Sequence, residues 1–181
     1  MVTKTPVKPE VGLKIDFGCG PHKKEGYLGV DIIKFDGVDK VLDVTKSPWP
    51  WKSDSVDEIH ASHFLEHLDA KEREVFYNEL YRVMKPGAKG LIITPHWASG
   101  RAYGDLTHKW PPVVEFGWYY LDKNWRKDNA PHSNLTCNFQ TTWGYSVHPQ
   151  WQLKNQETQQ FGVNHYREVA QDMIATLTKV I

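Results

Sequence analysis

Cysteine is nearly absent: Cys19 and Cys137 are the only two in 181 residues. A disulfide framework is therefore excluded as the source of stability; one pairing is the most the chain can form, and two reduced thiols are the simpler reading. No apolar run approaches the ~20 residues that a membrane-spanning helix requires. The opening Met1-Val2-Thr3-Lys4-Thr5-Pro6 lacks the apolar core of a secretion signal. A cytoplasmic protein with no membrane partner is the resulting expectation. Charge of one sign is missing as well: 22 basic and 22 acidic side chains give a net charge of zero, which argues against an extended nucleic-acid surface. Internal repeats and a second-domain boundary are also lacking. One domain over residues 1–181 is expected, with 1–12 as a loose lead-in. Aromatic residues, by contrast, are abundant. They make up 13% of the chain, and six of its eight tryptophans fall between Trp97 and Trp151.

The chain is organised around Leu13-Lys14-Ile15-Asp16-Phe17-Gly18-Cys19-Gly20-Pro21. Its first half alternates apolar and polar residues like a half-buried strand, then breaks into two glycines that allow a sharp turn close to a ligand. Tyr27 to Ile32 reads as a second strand. The residues between, Gly18 to Gly26, are too few for the helix that normally links parallel strands. Val41-Leu42-Asp43-Val44 and Val56 to Ser62 read as strands three and four. Asp69 is placed to cap a helix reaching about Lys85, with Phe76, Leu80, Val83 and Met84 on one face, and Lys85-Pro86-Gly87 to end it. Leu91-Ile92-Ile93-Thr94 suits a strand buried on both faces. Further on, His96–Pro112 reads as a long functional loop and Glu115–Lys123 as a short helix, with polar loop at Asn124–Ser133. Asn138–Val147 reads as a strand paired with the region around Trp151-Gln152-Leu153, and Asn164–Val180 as a closing helix with Val169, Met173, Ile174 and Leu177 on one face.

Alternation of strands with helices or long loops points to an open α/β sheet, whose ligands sit beyond the carboxyl ends of the strands. Three acids fall near such ends. Asp16 can hold an ammonium beside bare backbone, Asp31 can accept two ribose hydroxyls, and Asp43 can take the exocyclic amine of an adenine while Val44 contacts the ring.

The runs Asp16-Phe17-Gly18-Cys19-Gly20-Pro21, Asp31, Leu42-Asp43-Val44, His63-Phe64-Leu65-Glu66-His67-Leu68 and Glu79 to Gly87 stand in the order seen in class I S-adenosylmethionine-dependent methyltransferases, and the chain resembles that superfamily over about Leu13 to Thr94. The resemblance implies a Rossmann-like, doubly wound, mostly parallel sheet of about seven strands ending in an antiparallel hairpin. It implies S-adenosyl-L-methionine as cofactor, and binding residues Asp16, Gly18, Cys19, Gly20, Asp31, Ile32, Asp43, Val44, Ser62 and His63. Two departures stand out. His22 occupies the place of a third glycine, and the first helix is shortened or absent, so a more open site is expected on the methionine side. A nicotinamide fingerprint does not fit, because Lys23 stands where its third glycine belongs.

The implied activity is methyl transfer to a small-molecule or side-chain acceptor. The alternative is a regulatory or interaction protein that binds the cofactor without turnover. Gly104-Asp105-Leu106-Thr107-His108 resembles a Gly-Asp-Pro-Thr-His segment of some small methyltransferases, and His96, Asp105 and His108 are the candidates for acceptor contact or proton removal. Pinning of the loop is the competing role for Asp105 and His108. His60, His63 and His67, with Glu66, have spacings that a metal could use. The family shows a similar run without metal, so none is expected. Cys19 reads as a small turn residue, and the late tryptophans as either core or stacking partners for a planar acceptor.

Overall fold

The computed structural model describes residues 12–181, so the expected lead-in lies, but for Gly12, outside the described residues. Seven strands form one sheet: β1 Lys14–Phe17, β2 Leu28–Asp31, β3 Lys40–Val41, β4 Val56–Ser62, β5 Met84–Pro95, β6 Phe139–Val147 and β7 Ala170–Lys179. Their spatial order is β3-β2-β1-β4-β5-β7-β6. The first five are parallel, and β7 runs antiparallel between β5 and β6. Strand order reverses between β1 and β4, which opens a crevice at their carboxyl ends. The glycine turn after β1 lies in that crevice. Residues 18–27 contain turns and bends with no helix, as the residue count requires.

Helix α1, Ala70–Val83, begins at a capping box: Asp69 accepts from the Glu72 amide, and the Glu72 carboxylate accepts from the Asp69 amide. It buries Phe76, Leu80 and Val83 against Ile15, Phe17, Val30 and Ile59. Phe76 meets the Phe17 ring edge-on at 5.5 Å. The loop between β3 and β4 tucks Trp49 into the same core and fixes it through Glu79. The Glu79 carboxylate accepts from the Trp49 amide at 2.6 Å, while Arg82 donates to both its oxygens at 2.9 and 2.6 Å. Arg82 also donates to the Trp49 and Trp51 carbonyls.

Hydrogen bonds from Arg82 hold the Glu79 carboxyl below its ordinary range. A depressed carboxyl contributes stability above its unfolded value, roughly 4.3, and loses it as pH falls through the folded value. Glu79→Ala is therefore expected to cost about 2–3 kcal/mol at neutral pH. In urea unfolding, the gap to wild type should narrow as pH falls below about 4. A gap independent of pH would place the loss in packing.

Several expectations are corrected. Asn164–Val180 is not a helix: α6, Gln156–His165, ends at Tyr166, and Ala170–Lys179 is β7. Val169, Met173 and Leu177 satisfy helical spacing, but positions four apart also satisfy a period of two. The buried set Met173, Ala175, Leu177 alternates with half-buried Ile174, Thr176 and Thr178, and β-branched side chains favour the strand. Trp151 and Gln152 do not pair with β6. They lie in α5, Pro149–Gln152, and the partner of β6 is β7. The loop His96–Pro112 carries one short helix, α2, Arg101–Gly104; α3, Glu115–Tyr119, is shorter than expected, and the expected polar loop Asn124–Ser133 is entered by α4, Lys123–Asn129, capped by Asp122. Lys85-Pro86-Gly87 does not separate α1 from its next strand. β5 starts at Met84, and these residues bulge between the Val56–Met84 and Glu58–Lys89 pairings, with Gly87 at φ +76°.

Leu91 and Ile93 are only half-buried, against the expectation of burial on both faces. By register they share a sheet face with Lys14, Glu58, His60, Ile174 and Thr176, all half-buried. The aromatic core lies on the opposite face. No helix of the described residues is long and apolar enough to cross a membrane. Cys19 and Cys137 are both free.

Candidate active site

The glycine turn is held by carboxylates where a helix would otherwise brace it. Gly18 and Gly20 have φ of +64° and +51°, and the Gly18 and Cys19 amides both donate to the Val30 carbonyl. Asp16, 3% exposed, engages His60 Nδ1 at 2.7 Å and accepts from the Lys24 amide at 2.8 Å. Asp31 accepts from the Gly20 and Ile33 amides, each at 2.9 Å. The turn is thus tied at both ends to strand-end acids. Burial, then the nearby Asp16 and Asp31 charges, push the Cys19 thiol up to about 11. It is a thiol at neutral pH and no nucleophile, in line with a small turn residue.

A cleft of about 580 Å³ opens beside this turn. Gly18, Asp31, Ile32, Asp43, Val44 and His63 line it, together with Ile33, Phe35, Leu42 and Phe64. Ile32 and Ile33 are 62% and 56% exposed, an apolar surface suited to a planar ring. Asp43 lines the same cleft; hydrogen bonds from Thr45 and then Lys46 keep its carboxyl below the usual range. Asp16, Cys19, Gly20 and Ser62 stand outside the lining. Gly20 reaches the cleft through its bond to Asp31.

A second cavity, about 700 Å³, adjoins the first, and His63 and His67 line both. His63 adopts φ +51° at the end of β4, the kind of backbone outlier that clusters at functional sites. A contact with Glu66 raises its pKa above the ordinary histidine value. Asp105, His108, Arg101 and Glu66 complete the wall. The loop bearing them is seated on the segment after β4: the Lys109 amide donates to the Glu66 carbonyl at 2.9 Å, and Lys109 Nζ pairs with Glu72 at 2.6 Å.

His96 stands apart from both cavities. It is 1% exposed. Its Nδ1 accepts from the Ala98 amide at 3.2 Å, so the proton sits on Nε2 and is donated to Glu115 at 2.8 Å. Trp97 and Tyr145 also donate to Glu115. Burial raises the Glu115 carboxyl, but these bonds, led by the one from His96, outweigh it and hold it low. The late tryptophans differ in burial, and Trp118, Trp97 and Trp110 all line one cavity. Trp118 is core, while Trp97 and Trp110 are exposed; the cavity, a third, is about 420 Å³.

Glu115, Arg101, Thr107, Phe35 and Phe64 escaped the sequence reading. Two of them carry a signal: Thr107 by its place inside the Gly-Asp-Leu-Thr-His run, and Phe64 by its place inside the run from His63 to Leu68.

Seven strands in this order, with the last inserted antiparallel next to β5 and a glycine turn at the switch point, are the fold of the class I methyltransferases. Residues 15–92 match the family model described as a methyltransferase domain. The chain thus carries a segment similar to a methyltransferase domain, on the fold of solved S-adenosylmethionine-dependent methyltransferases. It is similar in fold to a SAM-dependent methyltransferase from Archaeoglobus fulgidus, with 20% identity, TM-score 0.67, and coverage of 93% of this chain and 86% of that one. A methyltransferase from Methanosarcina mazei is 15% identical, TM-score 0.57, covering 98% and 100%. Geranyl diphosphate C-methyltransferase from Streptomyces coelicolor A3(2), crystallised with Mg2+, geranyl diphosphate and S-adenosyl-L-homocysteine, is 16% identical, TM-score 0.55, covering 93% and 71%. No curated protein matches the sequence.

Proposed function

We propose that this protein binds S-adenosylmethionine in the 580 Å³ cleft and transfers its methyl group to a small-molecule or side-chain acceptor in the adjoining cavity. The observation that carries this reading is the shared wall: His63 and His67 face both spaces, so a cofactor in one is next to an acceptor in the other. When bound, the cofactor supplies a methyl group on a sulfonium, open to in-line displacement.

The residues fit that group. Asp31 is already fixed by two amides and offers its remaining lone pairs to the ribose hydroxyls. Ile32 gives an apolar wall to the adenine, and Asp43 and Val44 meet its edge. Gly18 lines the cleft with no side chain, and Cys19 and Gly20 shape the turn behind it. Asp16 serves the methionine end through the loop it holds, and Ser62 and His63 flank that end. The enzyme's main task is to orient acceptor and methyl and to exclude water. Asp105 and His108 line the acceptor cavity and are assigned to acceptor contact or proton removal. His96, with both ring nitrogens engaged, is assigned to positioning the loop. The chain is read as one domain, with residues 96–135 on the acceptor side.

Calorimetry of the full chain should show S-adenosylhomocysteine binding and no NAD binding. Incubation with S-adenosylmethionine and a panel of acceptors should release S-adenosylhomocysteine. Binding without turnover across a broad panel would favour a regulatory protein, and NAD binding without S-adenosylhomocysteine binding would overturn the assignment.

A further inference from the structure

We infer that Glu66, His67 and His108 form a site for a divalent first-row transition cation of the Zn2+ type, on the floor of the acceptor cavity. One donor atom from each of the three lies within 4.8 Å of the others, and all three line the cavity.

The ring protons are arranged to leave donors free. Thr107 has one hydroxyl hydrogen, and it is given to Asp105 Oδ1 at 2.7 Å. Toward His67 Nδ1, 3.0 Å away, the same oxygen must then accept, so the His67 proton is on Nδ1. His108 Nδ1 lies 3.1 Å from the Ala102 carbonyl, which can only accept. Both imidazoles therefore keep the lone pair on Nε2. A ligating histidine is typically fixed this way, with its other ring nitrogen donating to a carbonyl or a comparable acceptor.

Glu66 supplies the independent observation. Its side chain is 5% exposed at the residue level, and neither carboxylate oxygen has a hydrogen-bond partner. A buried carboxylate without a partner is costly and calls for a cation. Of the protein cations around it, none hydrogen-bonds to it: buried Arg73 is close enough to feel its charge, but its Nε donates to the Leu65 carbonyl and its Nη2 has no partner. His63 Nδ1 comes within 3.4 Å of Oε1 without hydrogen-bond geometry. Arg101 is committed to Asp172 at 2.8 Å, and Lys109 to Glu72 at 2.6 Å.

Two imidazoles and one carboxylate suit zinc and its neighbours better than magnesium. Three protein ligands also leave coordination positions open toward the cavity, as catalytic zinc sites do. An acceptor presenting an oxygen would complete the shell there, and this last step rests on the proposed methyl transfer. The histidine spacing within residues 60–67 is not what makes the site. The third ligand, His108, arrives from the loop after β5; a cation held there takes the Nε2 lone pair, so in the metal-bound protein His108 meets the acceptor through the cation and does not remove a proton.

The test uses the full chain stripped by chelator, with Zn2+ titrated calorimetrically and Co2+ followed by its visible absorption. One equivalent per chain is expected, with Mg2+ failing to compete. His108→Ala and Glu66→Gln should abolish the Co2+ spectrum, Thr107→Val should weaken binding about 10–100-fold, and His165→Ala, on an exposed helix end, should leave it intact. S-adenosylhomocysteine binding by metal-free His108→Ala should equal that of wild type, which separates failure of this site from failure of the cofactor assignment. Metal uptake that survives both ligand variants, or no uptake at all, overturns the site.

Discussion

Asp31→Ala should weaken S-adenosylhomocysteine binding by roughly 100-fold or more. Two charge-assisted hydrogen bonds to the ribose, worth about 1.5–3 kcal/mol each, would be lost together. The same substitution also frees the Gly20 and Ile33 amides, which donate to this carboxylate at 2.9 Å, and so loosens the turn that forms the wall of the cleft. Asp31→Asn separates the two effects. Its amide oxygen can still accept from one backbone donor, but the second position now presents a donor toward another donor. A loss of about tenfold is expected, with most of the turn preserved. Calorimetry with S-adenosylhomocysteine reads both variants, and amide exchange at Gly20 reports the turn. Wild-type affinity in Asp31→Ala would remove the ribose role and leave Asp31 as a loop brace.

The sequence was most informative where one local rule decided the outcome. The missing first helix follows from counting Gly18 to Gly26, because a crossover helix needs more chain than that. The start of α1 follows from Asp69 and Glu72, which form their capping box within one turn. The end of the chain is ambiguous in sequence because Val169, Met173 and Leu177 fit two periods at once, and only the pairing of β7 with β5 and β6 chooses between them. Strand-end position brought Asp31 and Asp43 to one cleft, since parallel strands present their carboxyl ends together. Asp16 is also at a strand end, but its carboxylate is consumed by His60 and the Lys24 amide, and composition could not foresee those partners. The acceptor side was the least legible. His67 and His108 meet at 4.8 Å between ring centroids only because Lys109 seats the loop on Glu66 and Glu72. Nothing local in either segment announces that contact. The burial of His96 has the same origin, since Glu115 and Tyr145 come from distant elements.

Gly18→Ala should destabilise the protein by about 2–4 kcal/mol. Two costs add. A residue with a Cβ at φ +64° loses roughly 1 kcal/mol to left-handed strain. The added carbon would also stand 2.2 Å from Phe64 Cδ2 and 2.5 Å from its Cγ, an overlap that forces the ring to move and costs about 1–3 kcal/mol. Phe64 has little freedom to yield, because it packs on Phe76 at 5.6 Å and Phe76 is fully buried. Gly20→Ala is the matched control. It has a similar φ, +51°, but an added carbon meets no atom within 4 Å, so only the roughly 1 kcal/mol of backbone strain applies. Urea unfolding should therefore separate the two variants by about 1–3 kcal/mol. Phe64→Ala removes Cδ2 and Cγ but keeps the Cβ that stands 2.6 Å from the added carbon, so the double variant should lose less than the sum of the two single losses while retaining part of the clash. Because Gly18 and Phe64 both line the cleft, a displaced ring also narrows it, and S-adenosylhomocysteine affinity should fall in Gly18→Ala but not in Gly20→Ala. Equal losses of stability in the two glycine variants would show that Phe64 does not press on the turn.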